Sequence, residues 1–292
     1  MSDVSVETPS VFEEVEGTSG RKARGVWVSR VVLIVLSILF VFPFYWMVAT
    51  ALKTTEEMGA SPPTFFPQEL VWSNFATAVN AIPFWTFFRN TLIITAFTVL
   101  ASVISNPFIA YGFSRIDWPG RDKVFYIVLA TVFIPFPVLI VALFDIFARL
   151  GWVNTFLPLI VPFFFGSAFW IFLMRQFLMQ IPHELSDAAR IDGASEWQIF
   201  FRVIMPLALP AVGVVGVFAV LHAWNDFLGP LIYLQQEAKY TLAIGLNFFR
   251  SAHNVQFNLL MAATTLVVIP IVIFFFLFQR MLVEGITLGS VK

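Results

Sequence analysis

The sequence predicts an all-α fold, a polytopic membrane bundle of six transmembrane helices. Of the 292 residues, 59% are hydrophobic and only 12% are charged, whereas soluble domains average roughly 25% charged residues. The 36 phenylalanines and 9 tryptophans suit surfaces that face lipid and its interface. Six uncharged runs are each long enough to cross a bilayer, which takes about 20 apolar residues.

The composition also excludes several kinds of function. A net charge of −1 gives no basic surface for nucleic acid. Without cysteine, no disulfide or thiolate metal site can form. The three histidines lie far apart, and neither a His-Glu-x-x-His pattern nor a GxxxxGK[ST] phosphate loop occurs. We therefore expect a chain that is not an enzyme and binds no metal or cofactor of its own.

The N-terminal end differs from the rest of the chain. Residues 1–25 are predicted to be a disordered tail, since the first 20 are polar and acidic, and residues 26–292 form the transmembrane domain. A signal peptide is the alternative for the first apolar run. That run is longer than an h-region of roughly 7–15 residues and lacks a clear cleavage site, which favours a first span.

The spans are predicted at residues 28–52, 88–114, 124–147, 153–178, 204–228 and 257–281. Asn106-Pro107 and Pro135-Phe136-Pro137 should break the second and third spans, because proline has no backbone donor. Broken spans can line a transport path or serve packing alone.

The distribution of basic residues orients these spans. An even number of spans places both termini on one side. Of the 17 basic residues, 12 then fall on the side of the termini. The other five lie on the opposite side, at Lys53, Arg89, Arg149, Lys239 and Arg250. The positive-inside rule therefore predicts cytoplasmic termini.

The first outer segment, Lys53 to Arg89, is the longest. Phe75, Val79 and Ile82 could form the apolar stripe of a surface helix. That helix could dock an external binding protein, or it could be a plug over the bundle. Separately, Asp145 and Arg149 stand four residues apart near the outer end of the third span, which favours an ion pair over a proton relay.

The most charged internal segment, Pro182–Pro206, lies between the fourth and fifth predicted spans. We call it the 182–206 loop, and the charge distribution places it in the cytoplasm. It is predicted to form two short helices. The first can begin at Pro182 and end at Gly193, which tolerates a left-handed conformation.

The second helix of the 182–206 loop should begin at Ser195, because Gln198 three residues later completes a capping-box pattern. Pro206 should end it. An aromatic and aliphatic face is expected to pack this helix under the bundle; it comprises Trp197, Phe200, Phe201 and Ile204.

The spacing of this loop resembles a motif of ABC importer permeases. The motif is Glu-Ala-Ala, three residues, Gly, nine residues, then Ile-x-Leu-Pro. Here Asp187-Ala188-Ala189 takes the first place, Gly193 follows after three residues, and Val203-Ile204-Met205-Pro206 follows after nine more. Asp, Val and Met are conservative departures.

The resemblance implies a coupling loop whose first helix sits in a cleft of an ATPase subunit. Leu185, Ala188 and Ala189 would form the face that fits this cleft. The coupling residues that it implies are Glu184, Leu185, Asp187, Ala188, Ala189, Asp192, Gly193 and Pro206.

The end of the fifth predicted span contains candidates for a substrate path, Trp224, Asn225, Asp226 and Phe227. Aromatic rings stack on sugar rings, while Asn and Asp bond hydroxyl groups. The alternative is an interfacial tryptophan followed by polar groups that end the helix. The string Ala-Trp-Asn-Asp-Phe-x-x-Pro-Leu and the closing residues 285–292 resemble the carbohydrate branch of these permeases.

The resemblance as a whole implies an inner-membrane permease subunit that forms half of the path for an oligosaccharide or polyol. The implied partners are a second homologous permease, two ATPase subunits that bind ATP and magnesium, an extracytoplasmic sugar-binding protein and membrane lipid, without nucleic acid. Two alternatives stay open. One is an ABC permease for glycerol phosphate or amino acids. The other is an ion-coupled secondary transporter that uses Asp145 or Asp226.

Overall fold

The computed structural model describes residues 13–250 and 256–287. Within these two ranges the regular structure is helical and no β-strand forms, which confirms the all-α prediction. The α-helices are α1 (Glu13–Ala51), α2 (Thr55–Met58), α3 (Ser73–Ala81), α4 (Phe84–Ser114), α5 (Arg121–Ala130), α6 (Phe136–Arg149), α7 (Leu157–Ile160), α8 (Ala168–Leu178), α9 (Glu184–Ile191), α10 (Glu196–Ile199), α11 (Met205–Asn225), α12 (Leu228–Tyr233), α13 (Leu242–Asn247) and α14 (Phe257–Thr287).

Five helical segments of the described chain are long and apolar enough to cross a membrane, and there are six if the bent pair α5–α6 counts as one span. The five segments are Val26–Ala51, Phe84–Ser114, Leu157–Leu178, Glu196–Asn225 and Phe257–Met281. The fourth predicted span is interrupted, since a 3₁₀ turn, Val161–Phe165, lies between α7 and α8.

The prolines that should break two spans differ in effect. Pro107 lies inside α4, which continues to Ser114, so the break expected there is wrong. The prolines at 135 and 137 remove two donors close together, and the residue before a proline favours extended backbone. Ile134 is accordingly extended, with φ −84° and ψ 112°, and the chain bends there by 103°.

The helix α1 begins at Glu13, inside the region 1–25 that was predicted to be a disordered tail. Proline is absent between residues 10 and 42, so no residue without a backbone donor interrupts the helix of the first span as it extends toward the N-terminus. Residues 1–12 and 288–292 lie outside the described residues, so most of the closing segment 285–292 does too.

The core of the bundle is organised around α4, which packs against α8, α11 and the 3₁₀ turn of the fourth span. A second cluster lies beside α14, where Ala78 and Ile82 are buried together with Trp224 and Leu259. The predicted surface helix therefore exists as α3, and its apolar side faces the bundle. This packing favours the plug over an exposed docking helix.

Candidate functional site

The first helix of the 182–206 loop is α9, and Gly193 follows it with φ +82°, the left-handed conformation that was predicted. The helix starts at Glu184 rather than at Pro182. The local reason is that the His183 carbonyl accepts the first helical bonds, from the amides of Ser186 and Asp187. The turn closes when the Ala194 amide donates to the Ala189 carbonyl at 2.9 Å.

The two faces of α9 differ sharply in exposure. Ser186 is buried, and Ala189 is half-buried against the hydrophobic core. Ala189 stands one helical turn from Leu185 and is partly buried against the core, so it lies at the inner edge of the outward face. The outward face carries the other predicted coupling residues of this helix, Glu184, Leu185, Asp187, Ala188 and Asp192.

The outward face of α9 also contains a residue that was not among the predicted coupling residues. Ile191, the last residue of α9, is 86% exposed. Leu185, Ala188 and Ile191 follow one another at three-residue steps, which places them side by side on a helix. That spacing could have identified Ile191 from the sequence. Together with Leu185, which is also exposed, Ile191 forms an apolar patch on the outward face of α9, and such patches are typical of surfaces that another chain covers.

The second helix starts with the predicted capping box. The Gln198 amide donates to Ser195 Oγ at 3.4 Å, and the Ser195 amide donates to Gln198 Oε1 at 2.8 Å. Pro206 does not end this helix, so that prediction is wrong. A π-helical turn, Phe200–Ile204, joins α10 to α11, and the Met205 amide bonds to the Phe200 carbonyl. This wider turn lets the helix continue into a residue that has no N–H.

The predicted packing face of the second helix is only half buried. Phe200 and Ile204 are buried, whereas Trp197 and Phe201 are exposed over more than half of their surface. Trp197 stacks on Phe108 of α4, with ring centroids 5.3 Å apart. The second helix is thus fixed to α4 along one side, and its other side remains accessible.

A polar bridge connects both loop helices to α4, and it consists of Asp187, Arg190, Glu196 and Tyr111. Arg190 donates to Asp187 Oδ1 and to Glu196 Oε1, each at 2.8 Å. Glu196 Oε2 accepts from the Tyr111 hydroxyl at 2.7 Å. The hydrogen bond to Glu196, with Asp187 adding to it, raises the pKa of Arg190. These ion pairs are largely exposed, so they contribute little to the stability of the fold. Their main effect is to fix the positions of the two loop helices relative to each other.

A second tie to α4 is the buried side chain of Arg115, which is only 4% exposed. Its guanidinium donates to the backbone carbonyls of Leu178, Ile181 and Pro182, where the chain leaves α8 and approaches α9. The carbonyl end of a helix carries partial negative charge, which suits a cation. Burial lowers the pKa of Arg115. From the sequence, Arg115 could be assigned only to the 12 basic residues on the side of the termini, without a structural role.

The four substrate-path candidates do not form one site. Trp224 is buried in the core, and its indole donates to the Val267 carbonyl at 3.3 Å. Trp224 therefore packs inside the bundle, which neither the substrate-path interpretation nor the interfacial alternative predicted. Asn225 is exposed and bonds the Leu221 carbonyl at 2.8 Å, and Phe227 is exposed as well. Asp226 caps the start of α12, where its Oδ1 accepts from the Gly229 amide at 3.0 Å.

Asp226 also lines a cavity of about 630 Å³ between α6, the 3₁₀ turn of the fourth span and the end of α11. Its walls are mostly apolar, and Phe147, Trp152 and Phe163 are among them. His222 and Tyr233 join Asp226 as the polar groups of this lining, and the Tyr233 hydroxyl is buried without a hydrogen-bond partner. The sequence reasoning missed this role of His222 and Tyr233.

The charged pair at the end of the third predicted span forms an exposed ion pair. Asp145 and Arg149 form an ion pair at 2.9 Å, and both side chains are more than half exposed. This geometry confirms the expected i,i+4 pair. In the part of the chain that the structure describes, no three His, Asp or Glu side chains come close enough to hold a metal ion.

The family model and the individual relatives that match this chain are all components of transport systems. Residues 108–288 match the model of a family described as binding-protein-dependent transport system inner membrane component. The chain is 32% identical to the arabinooligosaccharides transport system permease protein AraQ of Halalkalibacterium halodurans, over 91% of this chain and 96% of that protein. It is 34% identical to the lactose transport system permease protein LacG of Rhizobium radiobacter, over 89% and 94%.

A third relative is the diacetylchitobiose uptake system permease protein DasC of Streptomyces coelicolor, 32% identical over 91% of this chain and 97% of that protein. Among solved structures, the chain resembles one from a bacterial ABC transporter involved in the import of the acidic polysaccharide alginate. The TM-score is 0.74 at 23% identity, and the match covers 94% of this chain and 99% of that one. This structural likeness supports the fold.

Proposed function

The chain belongs to the family of inner membrane components of binding-protein-dependent transport systems, and from this premise we propose that it is a sugar permease. It forms half of the translocation path of an ATP-driven ABC importer for an oligosaccharide or polyol. The observation that carries the substrate class is that relatives at 32–34% identity are named for arabinooligosaccharides, lactose and diacetylchitobiose. The chain itself transports and does not catalyse.

The outward face of α9 is the proposed contact with an ATPase subunit. Leu185, Ala188 and Ile191 supply an apolar centre, and exposed acidic side chains surround it. The complementary cleft should be apolar with a basic rim. The acidic side chains of this face are Glu184, Asp187 and Asp192. ATP and magnesium bind the ATPase pair and not this chain.

The rest of the assembly follows from the same premise. A second homologous permease completes the path, and an extracytoplasmic binding protein delivers the sugar. A solved alginate transporter was captured with a periplasmic protein that binds an alginate pentasaccharide, which supports this type of partner. The basic residues support cytoplasmic termini and a cytoplasmic 182–206 loop. Asp226, Asn225 and Phe227 remain proposed substrate-path residues, and Trp224 is assigned to packing.

The mechanism is alternating access. Closure of the ATPase pair on ATP displaces α9, and the bundle responds by opening outward. Coupling between two sites usually amounts to about 1–3 kcal/mol. A loop fixed by one left-handed glycine and by two ties to α4 can transmit a displacement of this kind without collapsing.

Co-purification of the tagged chain from its native membrane tests the assignment. We expect an ATPase and a second permease to accompany it. Replacing Asp187 by Lys together with Gly193 by Val should remove the ATPase. The matched control is Asp117→Lys, since Asp117 is also an exposed carboxylate paired with an arginine, in a different loop.

Two results would contradict the proposal. A chain that purifies alone, and whose uptake stops with a protonophore while ATP is present, would be an ion-coupled transporter. An intact importer whose uptake is inhibited by amino acids or glycerol phosphate, and not by oligosaccharides or polyols, would overturn the substrate class alone.

A further inference from the structure

We propose that Tyr111 and Arg115 at the end of α4 are positioning residues that carry the displacement of α9 into the bundle, so that α4 is the transmitting helix. The inference rests on the proposed function, because it concerns how ATPase movement reaches the transport path. The 182–206 loop is joined in sequence to α8 and to α11. The side chains described here add a third connection, to a helix far away in the chain.

The first connection is made by Arg115, which links the end of α4 to the segment between α8 and α9. One guanidinium holds three carbonyls that lie 63 to 67 residues away, at the end of α8 and just before α9. In the described part of the chain no carboxylate forms an ion pair with it. A buried cation must be satisfied by hydrogen bonds, so the position of these carbonyls and the position of α4 are fixed to each other.

The second step is the polar bridge, one helical turn earlier. Tyr111 reaches Glu196 at 2.7 Å, and Glu196 reaches Arg190 of α9 at 2.8 Å. The Tyr111 ring is buried and lies edge-on against Phe200, with centroids 5.1 Å apart. Both helices of the 182–206 loop are therefore bound to the same end of α4.

The third connection lies nearer the middle of α4. Thr98 and Ser105 donate to the carbonyls of Leu159 and Phe163, at 3.2 Å and 2.8 Å. Asn106 accepts from the Ser167 amide at 2.8 Å. Leu159 and Phe163 line the 630 Å³ cavity. A shift of α4 along its axis would therefore move the wall of that cavity, because hydrogen bonds from α4 side chains to backbone carbonyls connect the two.

The variant Tyr111→Phe isolates this connection, since it removes one hydroxyl and keeps the ring packed. The matched control is Tyr126→Phe, because Tyr126 is an exposed tyrosine on α5. The purified complete importer is placed in liposomes with its binding protein. Sugar taken up per ATP hydrolysed is then measured, a ratio that a merely structural role would leave unchanged.

For Tyr111→Phe we expect this ratio to fall roughly 5-fold or more, as for the loss of a typical coupling interaction, with the ATPase still bound and hydrolysing ATP. Tyr126→Phe should match the wild type. Glu196→Ala should also lower the ratio, and the double variant should lose less than the product of the two single losses, because both remove the bond between Tyr111 and Glu196.

Equal ratios for Tyr111→Phe and Tyr126→Phe would overturn the inference. Loss of the bound ATPase from Tyr111→Phe would overturn it too, since Tyr111 would then shape the docking surface and not transmit movement; the proposed function would stand. A wild-type chain that binds no ATPase at all would overturn the proposed function and this inference together.

Discussion

Gly193 offers the sharpest test of the coupling loop, through the variant Gly193→Val. Its φ of +82° is left-handed, and in that region an L-residue costs roughly 1–2 kcal/mol. A Cβ added there would meet no atom within 4 Å, so the strain lies in the backbone alone. Since about 1.4 kcal/mol corresponds to a tenfold change in an equilibrium constant, we expect uptake to fall about tenfold or more. The amount of permease in the membrane should stay unchanged.

The assay is the initial rate of labelled sugar uptake, divided by the amount of permease in the membrane. Gly120 provides the matched control, because its φ is +85° and an added Cβ also meets open space. Gly120→Val therefore introduces the same strain outside the 182–206 loop. Gly193→Asn should retain most of the uptake, since asparagine tolerates this conformation. Normal uptake by Gly193→Val, or an equal loss with Gly120→Val, would refute the reasoning.

Three further predictions follow from the described contacts. Ile191→Asp should release the ATPase during purification without lowering the melting temperature of the permease, because Ile191 is 86% exposed; retained ATPase would contradict its docking role. Trp224→Ala should destabilise the bundle by about 3–5 kcal/mol, seen as a lower melting temperature, whereas Asn225→Ala should not. Asp145→Asn should leave uptake and its insensitivity to a protonophore unchanged, because an exposed pair with Arg149 contributes at most about 1 kcal/mol.

Features that depend on a few neighbouring residues could be predicted from the sequence. The capping box at Ser195 and the turn at the left-handed Gly193 involve hydrogen-bonding groups no more than five residues apart. The end of the second loop helix at Pro206 could not be predicted in the same way. Proline stops an ordinary α-turn, but a π-turn just before it changes the pattern of bonds, and that turn depends on the burial of Phe200 and Ile204 against the core.

The roles of Arg115 and Trp224 depend on distant parts of the chain. Arg115 fits the positive-inside rule. Its sequence neighbours do not predict that its guanidinium donates hydrogen bonds to backbone carbonyls more than 60 residues away. Trp224 sits in a string that suits sugar binding, yet α3 and α14 enclose it in the core. Composition gives the type of side chain, and only the packing decides whether it faces a ligand or another helix.

The polar face of α4 and the interruption of the fourth span explain each other. Thr98, Ser105 and Asn106 are buried in an apolar helix, where an unpaired polar group costs roughly 1–3 kcal/mol. The chain from α7 to α8 supplies the partners of these side chains, namely the Leu159 and Phe163 carbonyls and the Ser167 amide. Each side satisfies the other, so the fourth span can stay irregular beside the cavity while α4 remains continuous. An irregular wall held by side-chain hydrogen bonds can shift with α4, whereas a continuous helix there would have no need of those bonds.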